Sequence, residues 1–501
     1  MARASNTSQG RRERGVREIF GVPERFMRPR LVLIAVTLVL VCFGLLMIYS
    51  ASSVTSLTSS SLGNDPAYYV KRQLKGIAIG VVLAVALARL DYRVLTKHLL
   101  RYVWLATVIL LLLIFTPFAG SDAYGASRWI SIAGFTLQPS EFAKITIILT
   151  AANLAARYFE DRSIDFNHFV GLLVLGVGLP LGLILLQPDK GSTIIACVTL
   201  LIMAYLAGID RRIFIGLAVL GIAAALYLSF GDSYSRARIM TMLDPWADYY
   251  GAGYQLIQGF YAFGSGGLFG VGLGFSRQKY SYLPMAYNDF IFAVIGEELG
   301  YVGTLGTLVG FAIFAWAGFR IAKYAPDMTG QLIAAGCTSL IVFQMLVNVC
   351  GVIGVMPLTG KPIPFISYGG STIMSCLMLV GLIVSVSRRS VLPETVYDDN
   401  RRSWQMTDDD GYDGGFSLVG TPTPRSARRE QDNAAPPRGG FRVVDGGSSQ
   451  GGGRPSSSRQ QGRVTTDSSG RRRIDLGPSA TERLRGSGGG RRSSDRGNRY
   501  D

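Results

Sequence analysis

Apolar residues run through the chain in long blocks separated by short polar connections, and the pattern stops abruptly near residue 390. The blocks fall at 31–50, 74–90, 99–118, 142–159, 169–186, 192–206, 213–230, 290–321, 332–353 and 371–386. A helix crossing a bilayer needs about 17 to 25 predominantly apolar residues. The pattern therefore predicts an all-α polytopic membrane protein of about ten transmembrane helices, with a large extracytoplasmic loop, 231–288, between helices seven and eight. The sixth block is short, and the eighth is long enough to include a tilted or extended end.

Positive charge orients these blocks. Arg11, Arg12, Arg14, Arg17, Arg25, Arg28 and Arg30 precede the first. Alternate connections then carry Arg93, Lys97 and Arg101, next Arg211 and Arg212, and next Arg320 and Lys323. Lys and Arg concentrate in cytoplasmic loops, so these connections and both termini are expected in the cytoplasm. Lys71, Arg72 and Lys75 stand against the trend at the outer end of the second block, and the orientation rests on the sum of several loops. The first block is full length with no clear small-residue cleavage site after it, and reads as a retained span.

Three regions follow: a basic arm at 1–30, a membrane core at 31–390 and a polar tail at 391–501. Apolar residues make up 49% of the chain despite that tail, so the core is far more apolar than a soluble domain. The mean hydropathy of +0.29 agrees. The tail is rich in Gly, Ser and Arg and buries too little apolar surface to offset its ordering entropy, which predicts disorder over 398–501. It reads either as a solvated linker or as an interaction segment for anionic lipid or an acidic partner. Arm and tail together dominate the net charge of +16, which says little about the core. The five cysteines all fall in apolar blocks, implying buried thiols rather than a disulfide framework. The two histidines, His98 and His168, flank different blocks, so a histidine-based metal site or triad is not built here.

Chemistry concentrates in four polar segments. The loop 231–288 is aromatic and Gly-rich and leads into Asp289 at the mouth of the eighth block. Irregular backbone at membrane level survives only where protein or a wet cavity satisfies its polar groups, so this segment predicts a site. Its glycines permit close backbone approach but lack the strand and helix context of a nucleotide-binding loop. Asp289 reads either as an N-cap or as a general base near Arg and Lys residues. Glu297 and Glu298, further along the same apolar block, require polar or charged neighbours.

The stretch SRWISIAGFTLQPSEFAK sets Arg128, Trp129, Gln138, Glu141 and Lys144 around the start of the fourth block, in a loop expected to re-enter the surface. Glu141 and Lys144 share a helical face, forming a structural salt bridge or, with Arg128, a cradle for an anionic phosphate. QPDKGS is a tight turn in which Asp189 and Lys190 form a surface ion pair, or Asp189 lines the cavity of the large loop. GVIGVMPLTGKPIPFISYGGST holds three prolines that forbid a regular helix, and places Lys361 and Ser367 in a structural plug or against substrate.

Taken together, RWI, QPSEFAK, QPDKGS, LDPWAD, GAGYQLIQ, GSGGLFGVGLG, SRQK, YNDFIFAVIGEELG and LTGKPIPFISYGGS resemble the SEDS family of bacterial shape, elongation, division and sporulation proteins. The resemblance covers nearly all of 31–390 and neither terminal arm. SRQK, WAD, YLP and IGEELG are more similar to the division-type than to the elongation-type member. The resemblance implies a peptidoglycan glycosyltransferase of about ten transmembrane helices that polymerises lipid II on the outer face of the cytoplasmic membrane, for septal wall synthesis. It maps the family's essential loop aspartate onto Asp289 and its outer-loop tryptophan onto Trp129. Where relatives carry Pro-Glu and then His-Thr-Asp, this chain reads Pro284-Met285-Ala286-Tyr287-Asn288-Asp289, keeping the aspartate without the acid and the histidine.

In the implied reaction Asp289 accepts the proton of the acceptor's sugar 4-hydroxyl as that oxygen attacks the anomeric carbon of the growing chain, with inversion. Undecaprenyl diphosphate leaves, its charge met by Arg128, Lys144, Arg236, Arg238 or Lys279, with a divalent cation (Mg or Mn) as a further expectation. The implied partners are a class B penicillin-binding protein transpeptidase and other divisome proteins, with no nucleic acid. Three other readings stand beside this one: an elongation-type polymerase, a lipid II transporter and a non-catalytic scaffold. A transporter should carry paired charges at the bilayer midplane on broken helices, and a scaffold should tolerate loss of Asp289.

Overall fold

The computed structural model describes residues 18–390 except 20–21, 61–62, 117–119, 124–125, 133–134, 188, 232 and 281, and in the C-terminal segment residues 463–466 and 472–475. The first unit is predominantly helical. Its helices are α1 (Glu24–Thr58), α2 (Tyr68–Arg89), α3 (Tyr92–Leu113), α4 (Pro139–Ala155), α5 (Phe166–Leu186) and α6 (Lys190–Leu206). They continue with α7 (Arg211–Phe230), α8 (Ser233–Leu243), α9 (Tyr254–Gly266), α10 (Ile291–Lys323), α11 (Met328–Val352) and α12 (Gly370–Ser387). Each apolar block read from the sequence lies on one of these helices, within a few residues at its ends. Among the described residues, six helices are long and apolar enough to cross a membrane, namely α1, α3, α5, α10, α11 and α12. The chain is thus a multi-pass membrane protein.

Helix starts follow local chemistry. Pro139 opens α4, where its missing N–H costs nothing. Asp189, Asp210 and Asp327 cap α6, α7 and α11, each accepting a backbone N–H from two or three residues ahead. Burial separates centre from rim. In α11 and α12, 83% of the most apolar stretch is inside the protein, against 17% in α5, so α11 and α12 form the middle of the bundle and α5 faces lipid.

Three features depart from the sequence expectations. Part of segment 121–141 is an antiparallel meander, β1 (Gly120–Ala123), β2 (Ala126–Ile132) and β3 (Phe135–Leu137), with Ser121 opposite Trp129 and Ile130 opposite Leu137. This small sheet is an addition to an otherwise all-α core, and its alternating SRWISI run fits a strand. The large loop carries two helices, α8 and α9. Finally, α10 is broken at Gly300, whose φ of 67° and ψ of −160° interrupt the helix. The carbonyls freed at Glu297 and Glu298 accept from Val271 and Gly272 N–H at 2.9 and 3.0 Å, and Tyr301 and Val302 donate to the Gly267 and Leu268 carbonyls. The Gly-rich stretch therefore pairs the backbone groups that the helix break frees, which lipid could not do.

The same stretch binds the two acids of α10. Glu297 accepts from Ser276 Oγ and from the Arg277 N–H at 2.9 Å. Glu298 accepts from Ser50 Oγ at 2.6 Å and lies 3.4 Å from Lys279 Nζ. All five cysteines are free thiols; Cys337 and Cys376 are buried, whereas Cys42 is exposed on the outside of α1. In the C-terminal unit β4 (Arg463–Thr466) pairs antiparallel with β5 (Arg472–Asp475). The remainder of the tail read as disordered, and arm residues 1–17, lie outside the described residues.

Candidate active site

Asp289 ends the loop before α10, and the helix is capped by Phe290 without any side-chain hydrogen bond. The N-cap reading of Asp289 therefore does not apply. Its backbone is held instead: the Asp289 carbonyl accepts from Asn348 Nδ2 at 2.8 Å, and the same amide donates to the Lys361 carbonyl at 2.7 Å. Asn348 thus staples the Asp289 loop to the Pro-rich segment between α11 and α12. Gly360 in that segment has φ +68°, and a Cβ placed on it would lie 3.6 Å from Asp289 Oδ2. The Tyr368 N–H donates to the Tyr287 carbonyl at 3.0 Å, and the Tyr69, Tyr287 and Tyr368 rings pack edge to face or tilted beside it.

The side chain of Asp289 makes no hydrogen bond among the described residues, and it faces a cavity of about 300 Å³ with Arg238, Thr241, Gln255, Met356 and Gly360 on its walls. The carboxylate is part-exposed into this cavity yet closely surrounded by protein. Burial pushes its pKa up to about 6, with Lys361 and Arg238 pulling the other way. Arg238 extends from α8 and donates through Nη1 to the Leu358 carbonyl, which sets its guanidinium on the cavity wall.

Behind Asp289 lies a buried charge cluster. Lys361 Nζ stands 2.8 Å from Asp189 Oδ2 and 3.8 Å from Glu141 Oε1. Glu141 also binds Lys144 at 2.9 Å, and Lys144 donates to Gln344 Oε1 at 2.8 Å. Two acids and two bases balance, as burial requires. Burial alone would raise Asp189, but the charge and hydrogen bond of Lys361, aided by Ser140 and the Ser192 N–H, hold it below the usual carboxylate range.

The sequence-derived site residues divide accordingly. Asp289 and Arg238 share the cavity, and Lys361 lies next to it. Asp189 and Lys144, only 2% and 1% exposed, belong to the cluster behind and present nothing to the cavity. Lys144 forms the structural salt bridge with Glu141. Lys279 is buried against Glu298 and donates to the Gly274 carbonyl at 2.5 Å, so it serves the α10 break. Arg236 is exposed and donates to the Phe230 carbonyl at 3.0 Å, finishing α7. Ser367 is buried, its Oγ accepting from the Ile363 N–H at 2.9 Å. Trp129 sits on β2, and the side chain of Arg128 lies outside the described residues. Asn348, Gln344, Gln255 and Gly360 were missed. An amide in mid-helix within an apolar block was the available signal for Asn348 and Gln344, since such a group needs an internal partner. Among the described residues no three His, Cys, Asp or Glu side chains cluster as a metal site.

A multi-pass membrane protein whose Asp289 carboxylate, without a hydrogen bond among the described residues, faces a cavity beside an arginine is the class that fold and site define. The chain belongs to the family of cell cycle proteins that groups FtsW, RodA and SpoVE, which matches residues 30–391. This is the SEDS family its motifs resemble. Stage V sporulation protein E of Bacillus subtilis is 37% identical over 368 residues, 72% of this chain and 98% of that protein. A protein named probable peptidoglycan glycosyltransferase FtsW, of Trichlorobacter lovleyi, is 38% identical over 371 residues, 74% of this chain and 96% of its own. Among solved structures, a chain of a peptidoglycan synthase complex that coordinates polymerization and crosslinking superposes with a TM-score of 0.56 at 28% identity, over 71% of this chain and 96% of that one. The rod shape determining protein RodA of Thermus thermophilus does so with 0.52 at 26%, over 72% and 97%.

Proposed function

We propose that the Asp289 cavity is the catalytic centre of a division-type peptidoglycan glycosyltransferase that polymerises lipid II. The observation that carries this reading is the Asp289 carboxylate, held by its backbone, without a side-chain hydrogen bond among the described residues and open to a cavity beside Arg238. A sugar hydroxyl is a weak nucleophile, and a base with a pKa of about 6 is mostly ionised at neutral pH while still close enough to accept a proton effectively. Asp289 takes the proton from the acceptor 4-hydroxyl, the oxygen bonds to the anomeric carbon, and the bond to the diphosphate breaks with inversion. Arg238 on the same wall meets the charge that develops on the departing diphosphate. A divalent cation taking part would arrive on the substrate's own diphosphate, and no step here depends on it.

The membrane arrangement supporting this chemistry is ten crossings, α1 to α7 and α10 to α12, with α8, α9 and the meander on the outer side and both termini in the cytoplasm. The distribution of Lys and Arg supports this orientation. A class B penicillin-binding protein transpeptidase is the proposed partner, because the matched complex couples polymerization to crosslinking; other divisome proteins and a septal location go with the division-type reading. The test is lipid II polymerisation by the purified protein with and without a co-expressed transpeptidase, alongside Asp289→Asn. Glycan strands from the native protein and none from a folded Asp289→Asn variant support the assignment. Polymer of normal yield from that variant overturns it.

A further inference from the structure

A second cavity lies far along the chain from the Asp289 site, between α1, α2 and α12. Its volume is about 280 Å³, and Ile34, Leu38, Val81, Val85, Leu377 and Val384 are among its walls. It is almost wholly apolar: the hydroxyl of Thr37, its one side-chain polar group, is already bonded to the Leu33 carbonyl at 2.8 Å. Leu38, Val81 and Val85 are 62%, 45% and 42% exposed, so the groove opens sideways to lipid. From Ile34 to Val41 on α1 it extends about 10 Å at 1.5 Å per residue.

What distinguishes this groove from ordinary lipid-facing surface is the end it runs into. One turn beyond Ile34 and Val384 stand Arg30 and Arg388, and Arg89 follows Ala88 at the groove's edge. Arg30 Nε donates to Ser387 Oγ at 3.0 Å and Arg388 Nη1 to the Ala88 carbonyl at 3.2 Å, which draws the ends of the three helices together. Because Arg30 is bonded to Ser387, the residue before Arg388, the two like charges share one helix end and disfavour each other. The nearby Asp91 is paired with Arg389 at 2.8 Å, and among the described residues Arg30, Arg89 and Arg388 have no carboxylate partner. An apolar slot therefore leads to guanidinium groups that have no carboxylate among the described residues, where a phosphate would balance the charge.

We propose that this groove is a binding site for an anionic phospholipid, with an acyl chain between α1 and α2 and the headgroup phosphate bridging Arg30 and Arg388. With the termini on the cytoplasmic side the lipid comes from the inner leaflet, opposite to the leaflet of the polymerisation site, and is an accessory ligand of the enzyme.

The full-length protein, purified in detergent and delipidated, is to be incubated with phosphatidylglycerol, with phosphatidylcholine of the same chains, or with glycerol phosphate, and the retained lipid measured by native mass spectrometry. Phosphatidylglycerol is expected to be held about thirtyfold better than phosphatidylcholine, since Arg30 and Arg388 each contribute about 1 kcal/mol toward an anionic headgroup at a membrane surface. Glycerol phosphate, which lacks the chain, should not be retained. Arg30→Gln with Arg388→Gln should abolish the preference. Val85→Phe, which fills the groove and leaves every hydrogen bond at the helix ends in place, should lower retention of phosphatidylglycerol even if the double variant does not fold. Equal retention of the two lipids by the native protein, retention of glycerol phosphate alone, or undiminished retention by Val85→Phe overturns the proposal.

Discussion

Replacing Asp289 by asparagine separates the two things the site does to that carboxyl group. In the fold, burial raises its pKa from the ordinary 3.8 to about 6 against the pull of Lys361 and Arg238. Its charged form is therefore destabilised, and the difference corresponds to about 3 kcal/mol at 1.36 kcal/mol per pH unit. The sign follows from proton binding. The folded state holds the proton more tightly than the unfolded chain, so this contribution to stability is fully present below about pH 4 and is lost as pH rises through about 6. Asparagine keeps the neutral state at every pH. The variant should accordingly be more stable than the native protein at pH 7, by up to about 3 kcal/mol, with the difference vanishing near pH 4. Its polymerisation rate should fall by about 10²- to 10⁴-fold, the usual contribution of a general base. In the native enzyme kcat/KM for lipid II should rise with pH through about 6, with roughly a tenth of the base ionised at pH 5 and roughly nine-tenths at pH 7. Polymerisation assays across pH 5 to 8, paired with thermal unfolding in detergent, read both halves. A flat rate profile over that range, or a variant less stable than native at pH 7, would refute the reasoning.

Other substitutions probe the surroundings. Lys361→Met leaves Asp189 and Glu141 buried without their shared cation and should cost about 3 to 5 kcal/mol. It also removes a charge that lowers the pKa of Asp289, so the midpoint of the pH–rate profile of the surviving protein should move up, as steady-state rates would show. Lys144→Ala should lower thermal stability by a similar amount while the folded fraction polymerises at the native rate, because Lys144 is spent on Glu141 and Gln344. A normal melting temperature with a raised KM would return it to substrate binding. Gly300→Ala should unfold the region around the α10 break, since its Cβ would lie 2.4 Å from Gly270 N and 2.5 Å from the Leu268 carbonyl oxygen at a positive φ; proteolysis of the 266–272 stretch is the check. Deleting residues 398–501 should leave polymerisation in vitro unchanged, and a large loss of rate would show that the tail docks on the core.

The sequence by itself determined where the helices of the membrane core lie, because a bilayer demands a length of apolar residues that a linear reading can count. It also singled out Asp289, an acid at the edge of an apolar block next to a glycine-rich loop, and showed that Glu297 and Glu298 needed partners. The partners themselves are tertiary. Ser50 lies 248 positions from Glu298 along the chain, and Lys361 lies 172 from Asp189; no local spacing announces either pair. For the same reason Lys144, Lys279 and Arg238 looked alike as cations near the surface, whereas packing placed the first two against buried carboxylates and left Arg238 on the cavity wall. The break in α10 was also invisible as an apolar run, since hydropathy does not register a backbone angle. Only the approach of the 266–272 backbone, which takes up the carbonyls and N–H groups freed at Gly300, makes that angle stable inside a membrane protein.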